Sequence, residues 1–136
     1  TWEVKALRHT KSMYRSMPWS WLKSLGSWGV ATTAEGKASM RSFMESYTKK
    51  EYVELAAHGY TMLADAVESG RAYDIDCPAL LLCGEKDRAG DVKVFNRKWS
   101  AGESIPLVWV PDAGHNSNAD NPSFVNSQIE QLMTTL

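Results

Sequence analysis

Hydrophobic and polar positions follow two patterns along this chain. Up to Val67 the apolar residues recur at helical spacing. After Asp74 two unbroken apolar runs appear instead: Ala79 to Cys83, entered by Pro78 and closed by Gly84, and Leu107 to Val110, entered by Pro106 and closed by Pro111. Runs without polar alternation predict short strands covered on both faces, as in a parallel sheet. Between them, Asp91 to Ala101 predicts one helix, with Val92, Phe95 and Trp99 at helical spacing and Gly102 ending it. Asn121-Pro122 opens a final helix whose stripe is Phe124, Val125, Ile129, Leu132 and Met133, proline being suited to a first helical turn. Strand, helix, strand, helix implies a right-handed parallel crossover.

The upstream pattern is helical throughout. Leu7 to Met17 reads as one helix that stops at Pro18, because a residue before proline disfavours helix. Pro18 suits the first turn of a Trp19 to Leu25 helix, and Gly26 to Thr33 reads as a loop. Thr33 is positioned to cap a helix over Glu35 to Tyr47. Thr48 with Glu51 three residues on forms a capping box. The helix that follows carries Tyr52, Val53, Ala56, Tyr60, Leu63, Ala64 and Val67 on one broad face and stops at Gly70. The composition changes once, near Arg71 to Asp76, which predicts two regions, 1–74 and 75–136.

Candidate chemistry sits where the two apolar runs end. Loops that leave the carboxyl ends of parallel strands carry function in such sheets, and Asp87 and His115 both lie there. Taken singly, each has a plainer reading: aspartate in a Gly-x-x-Asp turn bonds its own backbone, and a histidine after Ala-Gly is satisfied in its loop. An acid and a histidine brought together form an oriented base, since a carboxylate that accepts one ring N–H fixes the imidazole and stabilises its protonated form; spacing alone does not assign these two residues those roles. Asp91 and Asp112 are rival acids near in sequence, but neither ends a Gly-x-x-Asp turn. Asp120 reads as a turn residue or as part of the start of the last helix. His9 and His58 stand in helices without a partner at ligand spacing and read as surface or packing residues.

The segment from Ile75 onward resembles the end of the α/β-hydrolase fold. The residues that carry the resemblance are Gly84-Glu-Lys-Asp87, similar to the family's acid turn, and Ala113-Gly-His115, similar to its histidine turn. Asn116 to Pro122 resembles the polar loop before the family's last helix. Residues 1–74 resemble, less specifically, the helical cap that many members insert before their last two strands. The resemblance implies an α/β class: a helical cap followed by the last two parallel strands and helices of an α/β-hydrolase sheet, an incomplete and predominantly helical fold. It also implies roles. Asp87 orients His115, and His115 activates a serine for acyl transfer from an apolar ester, amide or thioester to water. An aspartate nucleophile acting on an epoxide or haloalkane uses the same acid and histidine.

The cap reading assigns Trp19, Trp21 and Trp28 to substrate contact, alongside Met13, Met17, Met40 and Met44, because aromatic and methionine surfaces adapt to apolar ligands. Core packing between short helices is the alternative that residue type favours. The family's nucleophile sits in a Gly-x-Ser-x-Gly elbow, and no such pentapeptide occurs here; Gly26-Ser-Trp-Gly29 and Gly59-Tyr-Thr are not matches. By itself the chain is therefore expected to be inactive, and Thr1 in place of an initiating methionine favours a fragment or a processed chain. Having only two strands leaves three ways to cover the sheet: completion by an N-terminal half, a homodimer that joins two half-sheets at an open edge, or an independent helical domain with a small sheet that has lost the front half. A different class stays open: a non-catalytic binding or assembly domain that uses the Trp-rich helical surface.

Charge and cysteine usage narrow the partners. A net charge of −1 gives no reason to expect nucleic acid or an anionic membrane, and no apolar stretch has spanning length. Cys77 and Cys83 bracket one strand too far apart to bond, which suits reduced thiols in the cytoplasm. No pair of histidines or cysteines has zinc spacing, so neither metal nor cofactor is expected.

Overall fold

The computed structural model describes residues 2–70 and 75–135. The compositional seam expected at Arg71 to Asp76 falls mainly on 71–74, which lie outside the described residues. The chain forms two compact units, one made of Thr1–Ser24 with Ser42–Asp74, the other of Leu25–Arg41 with Ile75–Leu136.

Four helices build or enter the first unit: α1 (Trp2–Ser16), α2 (Trp19–Val30), α3 (Ala34–Glu45) and α4 (Lys49–Ser69), with α2 and α3 contributing to both units. Local signals set their ends. The Thr48 side chain accepts from Glu51 N while the Glu51 carboxylate accepts from Thr48 N at 2.8 Å, so the capping box is complete. Gly70 ends α4 in the left-handed conformation, φ 58°, where a residue without Cβ is least strained. α1 and α4 run antiparallel: Arg8 meets Asp65 and Glu68 at 2.7 and 2.6 Å, and the Lys49 ammonium donates to Arg15 O. Between them the Tyr14 and Tyr60 hydroxyls lie 3.3 Å apart, and burial, then that bond, pushes the Tyr14 phenol well above its ordinary range. Among the described side chains of this unit the buried apolar ones are Val4, Leu22, Met44, Val53 and Ala64.

The second unit contains the end of α2, the start of α3, then β1 (Leu81–Gly84), α5 (Val92–Glu103), β2 (Leu107–Val110), α6 (Ser117–Asp120) and α7 (Pro122–Thr134). β1 and β2 pair in parallel, Leu81 with Leu107 through Gly84 with Val110. Val110, Ala113 and Val125 form the core, with Leu82 and Phe124 packed on it. Cys83 is buried and Cys77 exposed, both as free thiols.

The expected α/β class is corrected by these elements. Among the described residues there are seven helices and only two strands of four residues each, so the fold is mostly helical with one two-stranded parallel sheet, which overturns the expected α/β-hydrolase sheet portion. The physical reason lies in the apolar runs themselves. Ala79 and Leu80 stay outside β1, and Leu81, Leu82, Leu107, Val108 and Trp109 are only half-buried. Unbroken apolar sequence predicted strands covered on both faces, yet full burial is reached only at Cys83, Gly84 and Val110.

Helix limits differ in further places: α1 begins at Trp2 rather than Leu7, and α3 closes at Glu45 rather than Tyr47. α2 continues through Gly26 to Val30, where a loop was expected, because the segment still completes i to i−4 bonds up to Ala31 N–H to Ser27 O. α5 passes Gly102 and ends at Ser104, itself left-handed at φ 55°. The polar loop after His115 contains a single helical turn, α6.

Candidate functional site

The turns after β1 and β2 are bonded to each other. Glu85 N donates to Val110 O and Lys86 N to Ala113 O, while Asp87 N closes back on Gly84 O. Gly84 is required by this approach, since a Cβ there would collide with the carbonyl oxygens of Ala113 and Gly114. Asp87 and His115 thus face each other although 28 residues apart.

The Asp87 carboxylate is almost wholly buried, 3% exposed, and both of its oxygens are used. Oδ1 accepts from Ala89 N at 2.7 Å, and Oδ2 lies 3.0 Å from His115 Nδ1. A carboxylate only accepts, so Nδ1 carries the proton and Nε2 of the neutral ring is left with a free lone pair. The imidazole itself is 43% exposed. A buried acid behind a half-exposed, tautomer-fixed histidine can remove a proton from a group delivered at Nε2 and hold the resulting charge.

The rival acids do other work. Asp91 precedes α5 without making a side-chain cap bond. Asp112, left-handed at φ 58°, points into solvent and pairs with Lys86 at 2.6 Å, which lowers its pKa. His9 bonds Lys5 O on its own helix, and His58 is exposed.

The tryptophans separate. Trp28, 56% exposed, belongs to the same unit as the dyad; the Arg88 guanidinium lies 4.7 Å above its ring and donates to Trp28 O at 3.3 Å. Arg88 follows Asp87 directly, so the end of α2 is tied to the acid's turn. Trp19 and Trp21 belong to the first unit. Trp19 is packed on Tyr52 with ring centroids 5.5 Å apart and has the Lys23 ammonium above it, whereas Trp21 is 66% exposed.

Asp120 is the residue that sequence reasoning undervalued. Its carboxylate accepts from Thr32 N, Thr33 N, the Thr33 hydroxyl and Gly114 N, at 2.9, 2.9, 2.7 and 2.8 Å at the nearest oxygen. Burial works to raise its pKa, but these donors, the Thr33 hydroxyl foremost, outweigh that and hold it at about 2. The Thr33 oxygen also accepts from Gly36 N, which caps α3. Nothing adjacent in sequence marks a partnership across 88 residues; the paired hydroxyls Thr32-Thr33 just before a helix were the one available sign.

Among the described residues no group of three histidine, cysteine or acidic side chains is arranged to hold a metal ion, and no helix is long and apolar enough to cross a membrane. No protein-family model, curated protein or solved structure matches this chain.

Proposed function

We propose that Asp87 and His115 are the acid and base of a nucleophile–histidine–acid hydrolase, with the serine nucleophile supplied by a segment other than this chain. The observation that carries the reading is the 3.0 Å bond between His115 Nδ1 and a fully used, buried Asp87 carboxylate. His115 Nε2 takes the serine proton as the hydroxyl attacks an acyl carbon, then returns it to the leaving group; Asp87 keeps the ring in the useful tautomer. The substrate class is a small apolar ester, amide or thioester, and Trp28, an exposed aromatic side chain of the dyad's own unit tied to the acid's turn through Arg88, is the residue assigned to contact it. Neither nucleic acid nor membrane is a partner in this reading; the nucleophile-bearing segment is, and the free thiols Cys77 and Cys83 suit a cytoplasmic setting.

Labelling with a fluorophosphonate probe tests it. This chain alone stays unlabelled, and the protein joined to its nucleophile segment is labelled in a way that His115→Ala abolishes. Labelling that survives His115→Ala overturns the assignment.

A second reading has its own observation, the exposure of Trp21 and Trp28 at 66% and 56%: a binding or assembly domain that docks a partner on its helical surface. In that case neither the isolated chain nor any complex of it reacts with the probe.

A further inference from the structure

The dyad is held from behind as well as from the side. Asp87 fixes the His115 ring, but the ring is useful only if the backbone that carries it is also fixed. Gly114 N, one residue before His115, donates to Asp120 Oδ2 at 2.8 Å. Asn116 N, one residue after it, donates to Val30 O at 2.8 Å. Both anchors lead to one segment, because Asp120 also gathers Thr32 N, Thr33 N and the Thr33 hydroxyl. The histidine turn is thereby pinned on each side to the junction between α2 and α3. Contact there is tight: a Cβ at Gly114 would lie 2.9 Å from Val30 O and 3.2 Å from Asp120 Oδ2, and one at Gly36 would strike Asp120 Oδ1.

We infer that Asp120 is a positioning residue for His115: its carboxylate locks residues 30–33 to Gly114 and so sets the register in which the imidazole meets Asp87. The inference rests on the dyad reading above. With the Thr32 hydroxyl at 3.2 Å, five donors converge on this carboxylate, and only a group with two acceptor oxygens satisfies them. Asparagine has the same shape, but its amide nitrogen would face N–H groups and donate to none of them. Such a change leaves partly buried donors unpaired next to the histidine turn.

Nitrogen-15 NMR of the His115 ring, at a pH where the imidazole is neutral, separates the possibilities. In the unsubstituted chain the Nδ1–H form dominates, and Asp87→Asn removes that preference. If the unsubstituted chain lacks it, the dyad reading fails and the inference goes with it. With the dyad confirmed, Asp120→Asn is expected to cost the Nδ1–H form its dominance while the amide signals of α1 and α4 stay in place. Asp112→Asn, a change to an exposed acid in the same loop region, leaves the ring as it was. Should Asp120→Asn prevent the second unit from folding, Thr33→Val and Thr33→Ser take its place: valine removes one donor to Asp120 and weakens the Nδ1–H preference, and serine restores it. An unchanged tautomer in folded Asp120→Asn, or in Thr33→Val when the former does not fold, overturns the positioning role.

Discussion

The two units place their charges in opposite ways. In the first, charged contacts lie on the outside: Arg8 with Asp65 and Glu68, Lys11 with Glu54 and Lys23 with Glu45 all pair between side chains that water reaches. Such pairs add little to stability because solvent and salt screen them. In the second, two carboxylates are turned inward, Asp87 onto Ala89 N and His115, Asp120 onto the backbone of residues 32, 33 and 114. An acceptor that satisfies several backbone donors away from water is costly to remove, since the donors then stay unpaired. Charge on a surface decorates a helix; charge inside a loop cluster determines its shape.

The contrast is broken most directly by deleting the inward charge. Asp120→Ala is expected to destabilise the second unit by about 2–4 kcal/mol, read as faster amide exchange across β1, β2 and α7 with less change in α4. Gly84→Ala comes next, at about 1–3 kcal/mol, because its methyl has only the backbone carbonyls of Ala113 and Gly114 to push against. Acid provides a reversible version. The Asp120 pKa is about 2 in the fold against 3.8 for the ordinary group. The stabilisation is therefore fully present above pH 3.8 and is lost as pH falls through about 2, a loss of about 1 kcal/mol once solvent screening of this partly exposed group is allowed for, which Asp120→Asn should lack in a circular-dichroism acid titration. Thr48→Ala removes the capping box of α4 and should cost about 1 kcal/mol, confined to the first unit. The smallest effect belongs to the surface pairs: high salt, or Arg8→Ala, should scarcely move exchange rates in α1 and α4. A large response there would mean that the exposed ions matter as much as the inward ones.

Legibility in the sequence follows the same division. Thr48, Glu51 and Gly70 act on neighbours within a turn or so, and the limits of α4 were readable from them. Both strand positions were readable from prolines and glycines beside apolar runs, as was the Asn121-Pro122 start of α7. The pairing of Asp87 with His115 was expected from two short motifs, and the bond between them is formed. What failed depended on coverage and distance. Apolar residues do not announce how much of them will be buried, so two four-residue strands read, in sequence alone, like part of a layered sheet. Gly26 and Gly29 suggested a loop, yet a helix tolerates them at modest cost where its end is held from elsewhere, here by Asn116 N on Val30 O and Arg88 on Trp28 O. Asp120 looked like one polar residue among many because its partners are far away in the chain.

The two thiols give this molecule an internal clock. Cys77 is exposed, whereas Cys83 sits inside β1 at 3% exposure, its pKa raised first by burial and then by the nearby Asp87 charge. An alkylating reagent reaches the first at its ordinary rate and the second only while the ladder is open. The ratio of the two rates counts those openings in the strand that carries the acid's turn.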